Sequence, residues 1–112
     1  MSIYTDYANN RFPFDDDYIS SIESAATTRR YRVYQVIHDL AKAAASLGQT
    51  ESQIENKVDA LFSTFAAEWS IYILTGATAI IDAIQNDATL PWIDTDVNGT
   101  SIRQRLINRL SQ

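Results

Sequence analysis

The sequence predicts an all-α fold: an antiparallel hairpin or bundle of two long helices, with a short C-terminal helix and an extended N-terminal arm. Three observations predict it. Apolar residues recur at steps of three and four through most of the chain, the repeat of one helix face. Only three glycines and two prolines punctuate 112 residues, too few for the many tight connections of an all-β architecture. Helix start and stop signals fall where the apolar repeats begin and end.

Residues 1–17 read as an extended aromatic and acidic arm, because Tyr4, Tyr7, Phe12 and Phe14 follow no helical spacing. Pro13 keeps Phe12 out of the α region, and Asn9-Asn10 is a turn signal. Each ring has about 150–250 Å² to bury, so the arm is expected on its own bundle or on a neighbour's. Asp15, Asp16 and Asp17 suit a helix N-terminus, where carboxylates meet orphan N–H groups and the positive end of the dipole.

Residues 18–112 are expected to form one helical domain. Its first helix, about 18–47, carries Ile19, Ile22, Ala26, Val33, Ile37, Leu40, Ala44 and Leu47 on one stripe. Thr27-Thr28 is its weak point, and Leu47-Gly48 its stop. Thr50 and Gln53 form a capping box for the second helix, about 51–86. Ile54, Val58, Leu61, Phe65, Trp69 and Tyr72 make the strongest repeat in the chain. Ile73, Ala77, Ile80, Ile81 and Ile84 prolong it past Gly76. A glycine inside a helix costs only ~1 kcal/mol relative to Ala, so the helix is expected to continue, with a bend. After a connection through Pro91 and Trp92, the Asn98-Gly99 turn leads into a last helix, about 101–110, capped by Thr100 or Asn98. It lines up Ile102, Leu106 and Leu110. Two helices cannot cover two wide apolar stripes by themselves, so the short helix and arm, or a second copy, must complete the core.

The absence of cysteine excludes disulfides, thiol nucleophiles and thiolate zinc sites. No apolar run approaches 18 residues and the N-terminus lacks an apolar signal core, so no membrane span or secretion signal is expected, and the location is read as cytoplasmic or, for a phage product, the virion. The net charge of −5 speaks against nucleic acid as a partner. Charge alternates by block: residues 29–48 and 98–112 are basic, mostly through Arg, whereas 1–28 and 49–97 are acidic.

Few motifs carry chemistry. Asp94, Asp96, Asn98 and Gly99 match positions one, three, five and six of an EF-hand calcium loop. Position twelve is Arg105 instead of a bidentate Glu, which favours a plain polar loop feeding a capped helix. His38 is the single histidine and has no sequence partner for general base work, so it is expected to be a partly exposed helix residue. No catalytic residue, cofactor or small-molecule substrate is expected. Arg29, Arg30 and Arg32, interleaved with Tyr31 and Tyr34, admit two readings: a nucleic-acid or phosphate patch, or a solvated helix face or basic strip that pairs with an acidic block. The acidic balance of the chain favours pairing, and the C-terminal Arg103, Arg105 and Arg109 admit the same two readings.

Tyr and Arg are enriched at interface hot spots, and with the aromatic arm they point to a non-enzymatic interaction or assembly protein that forms a homo-oligomer. In character such small, acidic, cysteine-free helical chains with aromatic arms resemble bacteriophage accessory proteins. That resemblance implies a virion or neck-type component. The alternative is a small acidic inhibitor or adaptor whose charged face docks on a larger host protein or nucleic-acid-binding machine.

Overall fold

The computed structural model describes residues 28–112, so the expected arm with Tyr4, Tyr7, Phe12 and Phe14, and the start of the first expected helix, lie outside the described residues. The protein is mostly helical. In chain order it comprises α1 (Thr28–Ser46), α2 (Glu51–Thr64), α3 (Ala66–Thr75), α4 (Thr78–Asn86), a 3-10 turn (Pro91–Asp94), strands β1 (Asp96–Val97) and β2 (Thr100–Ser101), and α5 (Ile102–Leu110). α1 packs against both α2 and α5, and α4 packs against α3 and α5.

The helix expected over 51–86 is three helices, which corrects the picture of a hairpin of two long rods. The first break falls at Phe65, whose φ of −110° and ψ of 31° take it off the helical path. The buried Phe65 ring holds that corner in the core, and the Trp69 indole N–H donates to the Leu61 carbonyl at 3.2 Å. The second break is Gly76, at φ 131° and ψ −173°. That region is essentially closed to residues with a Cβ, so the helix ends there instead of bending. The capping box at Thr50 and Gln53 is present as expected.

The strongest repeat of the sequence is the core: Ile54, Val58, Leu61, Phe65, Trp69 and Tyr72 are all buried. Phe62 stacks on Trp69 at 4.7 Å between ring centroids, and Tyr72 meets it edge-on at 5.9 Å. Ile80 and Ile84 from α4 and Ile102, Leu106 and Leu110 from α5 join Val58, Leu61, Phe65, Trp69 and Tyr72 in one cluster. On α1 the buried face is turned from the expected one. Val36, Leu40, Ala43 and Ala44 are buried, Val33 and Ile37 sit half-buried at its margin, and Leu47 lies exposed beyond the helix end. His38 is buried as well, contrary to the partly exposed position expected of it.

The connection before α5 contains a small hairpin. Asp96 pairs with Ser101 and Val97 with Thr100. Asn98 and Gly99 fill the two-residue turn with φ of 53° and 90°, the paired positive values that a primed turn requires and that Asn-Gly supplies most readily. With Thr100 held in the strand pair, the α5 cap falls to Ser101, whose hydroxyl accepts from the Gln104 N–H, and not to Thr100 or Asn98.

Candidate interaction surface

The basic residues singled out by the sequence are drawn into contacts within the chain. Helices end with carbonyls that have no partner of their own and carry the negative end of the dipole. Arg103 of α5 donates to the Ile84 and Gln85 carbonyls at the end of α4, at 2.7 and 3.0 Å. Its remaining fork holds Asp94, at 3.0 and 3.2 Å. Arg29 donates in the same way to the Ile73 carbonyl near the end of α3, at 3.2 Å. Arg32 reaches the Gln112 side chain at 3.1 Å, tying the start of α1 to the C-terminus. Arg109 binds Asp39 through two hydrogen bonds of 2.6 and 2.9 Å, with each side chain about one-fifth exposed. Arg105 donates to the Val97 carbonyl at the foot of the hairpin. The side chain of Arg30 lies outside the described residues.

The calcium-loop residues are engaged likewise. Asp94 is held by Arg103, and the Asp96 carboxylate accepts from the Gly99 N–H at 3.1 Å, closing the turn. No group of three metal-ligating side chains occurs among the described residues. Asp87 accepts from the Thr89 hydroxyl and from the Thr89 and Leu90 N–H groups, at 2.7, 3.1 and 2.9 Å. Desolvation would raise its pKa, but these hydrogen bonds and the Arg103 charge together hold the carboxyl below its usual range. Burial pushes the Tyr72 hydroxyl up, against the opposing pull of Arg32 and Arg29.

A surface the sequence reading did not single out lies on α3. Its inner face is Trp69 and Tyr72, both buried. Its outer face carries Ala66, Ala67, Ser70, Ile71, Ile73, Leu74 and Thr75, all exposed and none charged, with the half-buried Glu68 at its edge. Leu74 is 77% exposed. Even the hydroxyls are turned inward: Ser70 donates to the Ala66 carbonyl and Thr75 to the Ile71 carbonyl, at 3.2 and 3.0 Å, a back-bonding habit of such side chains in helices. Beside this face an apolar groove of about 270 Å³ is lined by Val33, Tyr34 and Ile37 of α1 and Ile73 of α3. The clue available in the sequence was the run Ile71-Tyr72-Ile73-Leu74, where four successive apolar residues must place some outward on any helix.

A second concavity is polar. A cleft of about 340 Å³ opens between α1, the hairpin turn and α5, lined among others by His38, Asp39, Lys42, Asn98, Arg105 and Arg109. A neighbouring cleft of about 290 Å³ shares Asp39, Arg105 and Arg109 with it. Among the described residues Arg105 has no carboxylate partner, and its Nε is buried without an acceptor. No helix among the described residues is long and apolar enough to cross a membrane. Comparison of the chain with protein families, curated proteins and solved structures gives no match.

Proposed function

We propose that this chain is a non-enzymatic assembly protein that forms a homo-oligomer through the outer face of α3 and the groove beside it. The observation that carries the proposal is that α3 exposes Ile71, Ile73 and Leu74 on the side opposite its buried Trp69 and Tyr72. A contiguous apolar patch on a surface marks a contact with another molecule. Covering Leu74 alone is worth about 2 kcal/mol, and Ile71, Ile73 and Tyr34 extend the patch on either side. A second copy offers the same apolar patch, so a two-fold pairing of α3 with α3 is self-complementary, with Glu68 the one charge of the helix at its edge.

Size-exclusion chromatography with light scattering on the full chain tests this. The expected result is a discrete oligomer at roughly tens of micromolar, converted to a smaller species of unchanged helicity by Leu74→Glu. A strict monomer at that concentration, or an oligomer indifferent to Leu74→Glu, would overturn it.

A further inference from the structure

We propose that the apolar groove beside α3 seats the aromatic arm of a second copy, with Phe12 and Phe14 in the groove and Asp15, Asp16 and Asp17 on the arginines at its edge. Resting on the reading of α3 as the contact between copies, it names what fills the concave part of that contact. The groove, of about 270 Å³, is lined by Val33, Tyr34 and Ile37 of α1 and by Ile73 of α3. A convex helix face laid over it covers the rim, whereas a concave apolar site suits a projecting ring. Tyr4, Tyr7, Phe12 and Phe14 are rings that follow no helical spacing, and each has about 150–250 Å² to bury.

Charge marks the same place. Arg29 donates to the Ile73 carbonyl at 3.2 Å, which holds its guanidinium beside the groove. Arg32, one turn further along α1, reaches the neutral side chains of Gln35 and Gln112. Among the described residues neither arginine meets a carboxylate. The arm carries the complement: residues 1–17 hold four carboxylates against one Arg, and three of the four follow Phe14 directly. Rings and carboxylates adjacent in the arm thus match an apolar groove with guanidinium groups beside it, and Arg takes carboxylates in two-point contacts.

Chain length assigns the arm to the second copy. The sequence expects helix from about residue 18, through Ile19, Ile22 and Ala26, a stretch outside the described residues. At 1.5 Å of rise per residue, such a start lies ~22 Å along the axis from Val33, the first groove residue. Extended chain covers at most ~3.6 Å per residue, so Phe14, four residues ahead of that start, reaches back no more than ~14 Å. Phe12 would arrive only at full stretch, and Asp17 would stop short of Arg29. A neighbouring copy is under no such limit, and two-fold symmetry makes the exchange reciprocal, arm into groove on both sides.

Because the chain has no cysteine, single thiols introduced into the full chain report the contact. A mixture of Phe14→Cys and Ile73→Cys chains, mildly oxidised after equilibration, should give a mixed disulfide read by mass spectrometry. Its yield should exceed about ten-fold that of Phe14→Cys mixed with Gln104→Cys, an exposed position on α5, because a docked arm holds its thiol at millimolar effective concentration. Phe12→Ala with Phe14→Ala should weaken the oligomer about ten-fold or more in light scattering. Arg29→Gln should weaken it about three-fold and flatten its dependence on salt. Mixed yields equal at Ile73 and Gln104, or a chain with both Phe14→Cys and Ile73→Cys that closes its disulfide on itself, would overturn the proposal. The two readings fail separately. An oligomer that Leu74→Glu dissociates but that forms no mixed disulfide removes the arm and leaves the α3 contact, whereas a strict monomer removes both.

Discussion

Replacing Gly76 with alanine separates a continuous helix from a broken one by the sign of a single stability change. In a helix running through position 76, Gly76→Ala would stabilise by ~1 kcal/mol, because alanine loses less backbone freedom on folding and is the better helix former. The structure dictates the opposite. Gly76 sits at φ 131° and ψ −173°, where a residue with a Cβ carries about 1–3 kcal/mol of strain. A Cβ built there meets no atom within 4 Å, so packing adds nothing and the backbone term stands alone. Reduced freedom of the unfolded chain returns about 0.4–1 kcal/mol. The net expectation is destabilisation of about 1–2 kcal/mol, or on the order of 10 °C in Tm. Urea unfolding followed by circular dichroism, at one fixed protein concentration, measures it as a lower midpoint with unchanged slope. Chemical synthesis allows a sharper control: D-alanine at position 76 occupies the mirror of an ordinary extended conformation, so it should be neutral or stabilising. If Gly76→Ala matches or exceeds the parent in stability, the break between α3 and α4 is wrong.

Two further perturbations follow from the polar contacts. The Asp39–Arg109 pair joins α1 to α5 across 70 residues with two short hydrogen bonds and one-fifth exposure. A double-mutant cycle with Asp39→Ala and Arg109→Ala should give a coupling of about 1–2 kcal/mol, between the values of surface and buried pairs, and a coupling near zero would show the pair to be ornamental. The Asp87 carboxyl is held below its usual pKa, so its charged form is the one the folded state favours. That contribution is complete above the unfolded value of about 4 and disappears as pH falls through the lower folded value. Asp87→Asn should therefore flatten the decline of stability in acid, measured by urea midpoints across that range; a variant as acid-sensitive as the parent would contradict the assignment.

The sequence carried the inner face of the protein better than its path. Six residues from Ile54 to Tyr72 recur at steps of three and four and all six are buried, because burial on one helix face is what that spacing encodes. The same spacing is blind to a break that preserves phase. Phe65 leaves the helical path for one residue, yet Leu61 and Trp69 on either side still point inward, so the stripe reads as unbroken. At Gly76 the ambiguity is energetic: the ~1 kcal/mol cost of an interior glycine is small enough for packing to decide. The arginines were legible as a set but not in their destinations. Nothing local says that Arg103 will reach the end of α4 or that Arg109 will meet Asp39, since both contacts close only once the helices have packed. The polar cleft was invisible for that same reason.

The two breaks also account for the exposed face of α3. On one straight rod, the stripe through Tyr72 would run on through Ile73, Ala77, Ile80 and Ile84, and the whole length would need a partner helix just as long. Among the described residues none is that long: α1 covers Thr28–Ser46 and α5 only Ile102–Leu110. Ending the helix at Gly76 lets α4 pack on α5 and bury Ile80 and Ile84 completely. Arg103 then fastens that junction at both the α4 carbonyls and Asp94. α3 is left with Trp69 and Tyr72 inside and Ile71, Ile73 and Leu74 outside, since four apolar residues in succession cannot share one face of a helix. The break that lets α4 complete the core thus leaves α3 with an apolar side that the described bundle does not cover, and only a further chain segment or a second copy can remove it from water.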